Sequence, residues 1–178
     1  PGLKLEPQEI RHALYQGTAA RLLQELAEND IFRKVTDGDV PSKRMQDREM
    51  VLRYLALRYM GMEEYQNSTM DSYLNKAMSF LNQQLPETIE EYKITYFKTL
   101  QCNFKIFGIY AFRRISKLKP GAKKPINTAL FESWMNAIAI LDDKQREYLV
   151  SRKDKLKEKY IDELDKKSSF YSDIGSGK

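Results

Sequence analysis

Apolar residues recur every three to four positions along most of this chain, and that spacing limits the folds open to it. The segment from Thr88 to Phe107 shows it most regularly, with an apolar side made of Ile89, Tyr92, Tyr96, Leu100, Phe104 and Phe107. A repeat near 3.6 residues places such side chains on one face of an α-helix. No segment alternates with the period of two that a half-buried strand requires. The sequence therefore predicts an all-α fold.

Helix-starting residues and helix breakers divide the chain into a single-domain bundle of six or seven helices. We expect helices to begin near these residues: Pro7, Thr18, Asp47, Ser68 or Thr69, Thr88, Asn127 and Asp142 or Asp143. Pro86 should end the fourth of these helices, and the stretch "VTDGDVPSK" should form an exposed loop. We assign residues 1–167 to the helical module. The residues 168–178, which lack a helical pattern, are predicted to be a flexible tail.

The residues that commonly carry catalysis are scarce. His12 is the only histidine and Cys102 the only cysteine, so histidine-rich metal sites and internal disulfides are excluded. Paired acids stand near predicted helix starts, where the helix dipole favours negative charge. We expect no catalytic site, metal or cofactor within this chain. No apolar run approaches the roughly 20 residues that cross a bilayer, so we predict no membrane partner and a cytoplasmic location.

The charge distribution suggests a partner. The formal net charge is +5, yet the stretch from Tyr92 through Phe131 contains no Asp or Glu. One-sided charge attracts polyanions, and the adjacent arginines can each bind two phosphate oxygens. The predicted nucleic-acid-binding residues are Lys98, Lys105, Arg113, Arg114, Lys117, Lys119, Lys123 and Lys124. The alternative is that this basic stretch is only a solvated loop between helices.

Four spaced blocks carry a family resemblance: "LKLEPQEIRHALYQG", "RMQDREMVLRYLAL", "FGIYAFRRI" and "INTALFESW". In this order they resemble the later part of a large prokaryotic domain-of-unknown-function family. Its members look like ParB-type nucleases at the N-terminal end and include the Gmr-type modification-dependent restriction enzymes. The family's upstream Asp-Gly-Gln-Gln-Arg motif does not occur here. The resemblance implies the helical C-terminal part of a longer protein.

The resemblance also assigns roles to individual residues. Gln8, Glu9 and Arg11 match the helix that follows the family's mixed α/β core, so they are expected to face that core and border its active site. Arg48 and Arg53 match the second block, where we expect structural ion pairs.

Two hypotheses of function follow. In the first, the chain is a helical module of a DNA-processing or phage-defence protein of the restriction type. It binds DNA phosphates non-specifically and packs on a missing N-terminal nuclease or NTPase core, which performs any chemistry.

In the second, it is a structural or protein-protein interaction module, on the missing domain or on a partner subunit, that does not bind nucleic acid. An exposed apolar patch on the helix at Pro7 or the helix at Thr18 would favour the second hypothesis. An enzyme confined to this chain is a third reading, which a metal held by three or more side chains would support.

Overall fold

The computed structural model describes residues 4–66, 68–118 and 121–166, so Lys119 and the predicted tail at 168–178 lie outside the described residues. The described part contains ten α-helices: α1 (Pro7–Leu14), α2 (Thr18–Glu28), α3 (Asp30–Thr36), α4 (Gln46–Tyr59), α5 (Glu63–Gln66), α6 (Met70–Asn82), α7 (Pro86–Phe107), α8 (Thr128–Ala139), α9 (Asp143–Ser151) and α10 (Lys153–Asp165). Short 3₁₀ turns occupy Lys43–Met45 and Gly108–Tyr110. No β-strand occurs in these residues, and no helix among them is both long and apolar enough to cross a bilayer.

The all-α prediction is confirmed, but the prediction of six or seven helices is wrong. The additional helices are α3, the short α5, and a second helix produced where the last predicted helix divides at Arg152. Asn29 explains α3, because its side chain accepts a hydrogen bond from the amide of Ile31 at 2.9 Å. A new helix therefore begins directly after α2, and it includes the first two residues of the predicted loop "VTDGDVPSK".

Several predicted helix starts are confirmed by their hydrogen bonds. The side chain of Thr69 accepts from the amide of Ser72, that of Asn127 from Leu130, and that of Asp142 from Gln145. Pro86 differs from its prediction, since α6 already ends at Asn82 and the proline occupies the first turn of α7. Helix α4 begins at Gln46, one residue before Asp47, whose carboxylate accepts from the amide of Arg48.

Helix α4 lies at the centre of the bundle, and six successive or near-successive apolar residues of it are buried: Met50, Val51, Leu52, Tyr54, Leu55 and Ala56. It packs against α2, α6 and α8, while α7 packs against α3, α8, α9 and α10. Tyr54 and Leu55 of α4 are fully buried, and the Tyr54 ring contacts Tyr96 of α7 with 5.7 Å between the ring centroids. The core is therefore built from helices that are distant in sequence.

An aromatic cluster joins the end of α7 to α8 and α10. Phe107 contacts Trp134 and Tyr160, with centroid separations of 4.8 and 5.6 Å. Just beyond α7, the buried Phe112 packs edge-on against Phe131 of α8, with centroids 4.8 Å apart. These contacts anchor the start of the predicted basic surface in the core.

Candidate functional site

Arg113, which was predicted to contact phosphate, is buried. Its exposed fraction is 1%. The guanidinium donates to the carbonyl oxygens of Ile109, Lys124 and Thr36 at 2.5–2.9 Å. It also pairs with Asp39 at 2.9 Å. The expectation that Arg113 belongs to an exposed basic surface is therefore wrong, because its guanidinium is buried and its donors are taken by these carbonyl oxygens and by Asp39.

Three further cations of the predicted surface are paired with carboxylates. Lys98 contacts Asp143 at 2.8 Å, and Lys117 contacts Asp162 at 2.5 Å. Lys123 contacts both Asp37 and Asp39. These acids come from α9, α10 and the loop after α3, all outside the acid-free stretch. The fold therefore brings in the negative charge that the local sequence lacks.

The pairing shifts the pKa values of these groups. The hydrogen bonds that Lys123 donates to Asp37 and Asp39 raise its pKa, and the bond that Lys117 donates to Asp162 does the same for Lys117. The hydrogen bond from Lys123, with the charge of Arg113, lowers the pKa of Asp39. Each partner thus favours the charged form of the other. Because the two opposite charges lie in contact, the net field that reaches solvent is reduced.

The remaining predicted cations differ in setting. Lys105 and Lys124 are exposed, and their side chains have no carboxylate partner among the described residues. Arg114 is half-buried, with its Nε shielded from solvent. Lys119 lies outside the described residues. The eight positions therefore do not form one uniform positive surface.

Arg11 is the second buried arginine, and it too turns inward. Its exposed fraction is 3%. The guanidinium donates to Glu49 at 2.5 Å, to Asp71 at 2.8 Å and to Asn75 at 3.0 Å, which ties α1 to α4 and α6. Burial raises the pKa of Glu49 despite the adjacent Arg11 charge. The expectation that Arg11 faces a separate core domain is therefore wrong, because its partners belong to this chain.

Gln8 and Glu9, which were also expected to face that domain, contact Arg44. The Gln8 side chain donates to the Arg44 carbonyl at 3.1 Å, and the Arg44 guanidinium pairs with Glu9 at 2.9 Å. The hydrogen bond from Arg44 lowers the pKa of Glu9. Both side chains are half-buried against the turn that precedes α4.

The opposite side of α1 is apolar and exposed. We call it the α1 outer face and define it as Pro7, Ile10, Ala13 and Leu14. Positions three and four apart share a face of a helix, so these residues form one patch. Leu14 is 73% exposed, and Leu5 is exposed just before the helix. Sequence reasoning could place these residues on one side, but it could not tell that this side faces outward.

Arg48 and Arg53 form the ion pairs expected of them. Arg48 contacts Glu28 of α2 at 3.1 Å, and Arg53 contacts Glu132 of α8. Arg48 also approaches Nε2 of His12 at 3.1 Å. Partial burial, with the charge of Arg48, lowers the pKa of His12. His12 thus belongs to the polar inner side of α1.

The described residues offer little support for metal binding or for nucleophilic catalysis. They contain no group of three or more His, Cys, Asp or Glu side chains arranged to hold a metal ion. Cys102 is buried, and burial raises the pKa of its thiol, which is the reverse of what an activated nucleophile requires.

Comparison with protein-family models, with curated proteins and with solved structures finds no match. The resemblance to the ParB-like family therefore stays a prediction. Among the described residues, the α1 outer face and the cations that lack a carboxylate partner are two features available to a function.

Proposed function

We propose that this chain is a protein-interaction module, and that the α1 outer face docks on a folded partner domain. One observation carries the proposal. Helix α1 directs its charged residues into the protein and its apolar residues into solvent, the reverse of an ordinary surface helix. An exposed apolar patch on this helix is also the feature that distinguishes interaction from nucleic-acid binding.

Helix α1 cannot cover this patch by turning about its axis. Such a rotation would break the hydrogen bonds of Arg11 to Glu49, Asp71 and Asn75 and leave the partly buried Glu49 without its guanidinium partner. Breaking a buried ion pair by removing one partner costs about 3–5 kcal/mol. Burying one leucine side chain returns about 1.5–3 kcal/mol. The outer face therefore stays outward, and a partner is the favourable means of covering it.

The family resemblance supplies the kind of partner. It predicts a ParB-like nuclease or NTPase core, either in the same polypeptide or in a partner subunit, of a DNA-processing or phage-defence protein. In this proposal the contact residues are Ile10 and Leu14, with Leu5 beside them, and not Arg11. The module then holds the core in place and leaves the chemistry to it.

The gene provides the first test, because the resemblance predicts an in-frame core with the Asp-Gly-Gln-Gln-Arg motif before Pro1. That core, expressed as a separate polypeptide, is the probe for binding by calorimetry. Leu14→Asp should weaken binding at least about ten-fold, since the substitution places a charge in an apolar contact. Leu85→Asp is the matched control, because Leu85 is 67% exposed between α6 and α7. A core that does not bind, or that binds Leu14→Asp and unsubstituted chain equally, contradicts the proposal.

A polyanion-binding role is the second candidate, and one contact favours it. The Nζ atom of Lys34 lies 4.9 Å from the centroid of the Phe104 ring, which places a lysine of α3 against the α7 residue that precedes Lys105. Both lysines are exposed, and neither has a carboxylate partner among the described residues. DNA phosphates could bind there without competing with an existing ion pair.

This second candidate is tested by measuring the affinity for duplex DNA from low to moderate salt. The double variant Lys34→Ala/Lys105→Ala should weaken binding and reduce its salt dependence by about two phosphate contacts. The double variant Lys98→Ala/Lys117→Ala is the matched control, because both of its lysines already pair with carboxylates. Affinity that does not change with salt, or that falls equally in both variants, rules this surface out.

A further inference from the structure

A pocket of about 390 Å³ lies among the ends of α2 and α3, the segment 37–45 that joins α3 to α4, and the start of α4. We call it the α3–α4 pocket. Its apolar lining includes Ala27, Phe32 and Val40, and its charged lining residues are Arg33, Lys43 and Asp47. Ligand sites commonly enclose about 300–1,000 Å³, so this volume admits a small molecule.

The wall that the joining segment contributes is held in place by hydrogen bonds. The amide of Asp47 donates to the carbonyl of Pro41 at 3.2 Å. The buried Arg113 guanidinium donates to the carbonyl of Thr36 at 2.7 Å and pairs with Asp39 at 2.9 Å. Arg113 thus fixes the segment where it leaves α3, and the pocket is preformed as ligand sites commonly are.

Asp47 differs from the two buried arginines in its pairing. Its exposed fraction is 5%. Arg11 and Arg113 each pair with carboxylates, but no Lys or Arg of the described residues lies within ion-pair distance of the Asp47 carboxylate, and the adjacent Arg48 pairs with Glu28. Burial raises the pKa of the Asp47 carboxyl despite the charge of Arg48. Because buried charges are normally paired, a cationic group of a ligand would complete this site.

Two cations of the same pocket also lack a carboxylate partner within the described part of the chain. Arg33 of α3 and Lys43 of the joining segment are exposed. The acids of that segment, Asp37 and Asp39, are paired with Lys123. The pocket therefore presents one buried negative charge and two exposed positive charges. A ligand with a single charge is repelled by one of these groups, whereas a zwitterion complements both.

We propose that the α3–α4 pocket binds an α-amino acid with an apolar side chain. The ammonium group pairs with Asp47, the carboxylate group pairs with Arg33 and Lys43, and the side chain packs on the apolar lining. An α-amino acid carries these three groups on one carbon atom, so a single small ligand satisfies the whole pocket. No residue of α1 lines the pocket, so this proposal is independent of the interaction proposed for the α1 outer face.

The experiment uses L-leucine as the probe and two analogues that each lack one charge. Isoamylamine has no carboxylate group, and isocaproate has no ammonium group. The affinities are measured by NMR, from the backbone amide shifts of the protein as each compound is added. L-Leucine should bind at least about ten-fold more tightly than either analogue, and the amides of Gly38 and Arg48 should shift.

Two variants assign the charges. Asp47→Asn should weaken the binding of L-leucine and isoamylamine about ten-fold, but not that of isocaproate, because it removes only the negative charge. Arg33→Gln/Lys43→Gln should weaken the binding of L-leucine and isocaproate, but not that of isoamylamine. This double variant changes only exposed side chains, so it tests the pocket if Asp47→Asn does not fold. The matched control, Arg21→Gln/Lys144→Gln, changes two exposed cations outside the pocket and should leave all three affinities unchanged.

Three outcomes would overturn the proposal. The first is the absence of a saturable amide shift when L-leucine is added. The second is equal affinity for L-leucine and isocaproate, which would indicate an anion site in which Asp47 takes no part. The third is an affinity for L-leucine that neither variant changes. Leu14→Asp should keep the affinity for L-leucine, so a failure here is distinct from a failure at the α1 outer face.

Discussion

Helices α1 and α2 follow one another in the chain, yet α1 turns its polar side toward the protein and α2 turns its apolar side. In α2 the buried residues are Ala19, Ala20, Leu22, Leu23, Leu26 and Ala27, while its charged residues are exposed. In α1 the only buried residue is Arg11, and the apolar Leu14 is exposed. Amphipathicity alone therefore does not decide which side of a helix turns inward. The deciding factor here is a set of acceptors on α4 and α6 to which the Arg11 guanidinium donates.

The junction between the two helices shows how the change of side is fixed. Gly17 has a φ of 117°, a conformation that other residues rarely adopt, and a Cβ there would lie 3.0 Å from Oδ1 of Asn82. The Asn82 side chain accepts from the amide of Ala19 and donates to the carbonyl of Gln16. Asn82 of α6 therefore holds the end of α1 and the start of α2, so α2 does not continue the helical path of α1.

The largest loss of stability should come from removing the contacts that Arg11 makes on the inner side of α1. Arg11→Met leaves the partly buried Glu49 without its partner, so we expect a loss of about 3–5 kcal/mol in the free energy of unfolding. Arg21→Met on the exposed side of α2 should change it by less than about 0.5 kcal/mol. Urea unfolding followed by circular dichroism measures both. Equal losses in the two variants would mean that the Arg11 contacts do not hold α1 in place.

The second-largest difference in stability between the two helices should come from truncating one leucine in each. Leu26→Ala in α2 removes a fully buried side chain and should cost about 2–5 kcal/mol. Leu14→Ala in α1 should change stability by no more than about 0.5 kcal/mol, because the side chain is already in water. Urea midpoints of the two variants provide the comparison. A large loss in Leu14→Ala would contradict an outward-facing α1.

The inner face of α1 should also make stability depend on pH, whereas that of α2 should not. The folded pKa of His12 is lowered from 6.5, so its contribution to stability is present above 6.5 and is lost as the pH falls through the folded pKa. His12→Gln should remove that part of the pH dependence. Because burial also raises the pKa of Glu49, the difference in melting temperature between His12→Gln and the unsubstituted chain, measured from about pH 7 to 5, is the quantity that reports His12. A profile that His12→Gln leaves unchanged would show that α1 does not shield the imidazole.

The smallest effect should come from the exposed side of α2. Glu25 contacts Lys93 at 2.7 Å, but its side chain is about half exposed, so Glu25→Ala should cost only about 0.2–1 kcal/mol. The cost should fall further when salt is added, because the pair is open to screening. Urea unfolding at low and high salt checks this. A loss comparable to that of Arg11→Met would remove the contrast between the two helices.

Prediction from the sequence worked best where the deciding residues are close together in the chain. The caps at Thr69, Asn127 and Asp142 bond to amides three positions away, so a local pattern was sufficient to find them. Helix α3 was missed because a helix of only 7 residues has too few apolar positions to show a repeat. The expected ion pairing of Arg48 and Arg53 came from the resemblance, but their partners, Glu28 and Glu132, could not be named.

The candidate sites could not be predicted in the same way, because their partners lie far away in the chain. Arg113 bonds to a carbonyl 77 positions away, and Lys98 finds its acid 45 positions away. A stretch of sequence without acids therefore need not form a positive surface, because the fold can place acids from distant segments beside it. Likewise, Arg11 turns inward only because α4 and α6 place Glu49 and Asp71 beneath it.

The sequence by itself determined the all-α class, most helix starts and the apolar side of each long helix, because backbone hydrogen bonds and side-chain periodicity act within a few residues. Only the tertiary structure decided which side of α1 faces out and which cations remain available for a partner. Those outcomes depend on the burial and pairing of charges between distant segments, and a buried guanidinium without acceptors costs more than an exposed leucine.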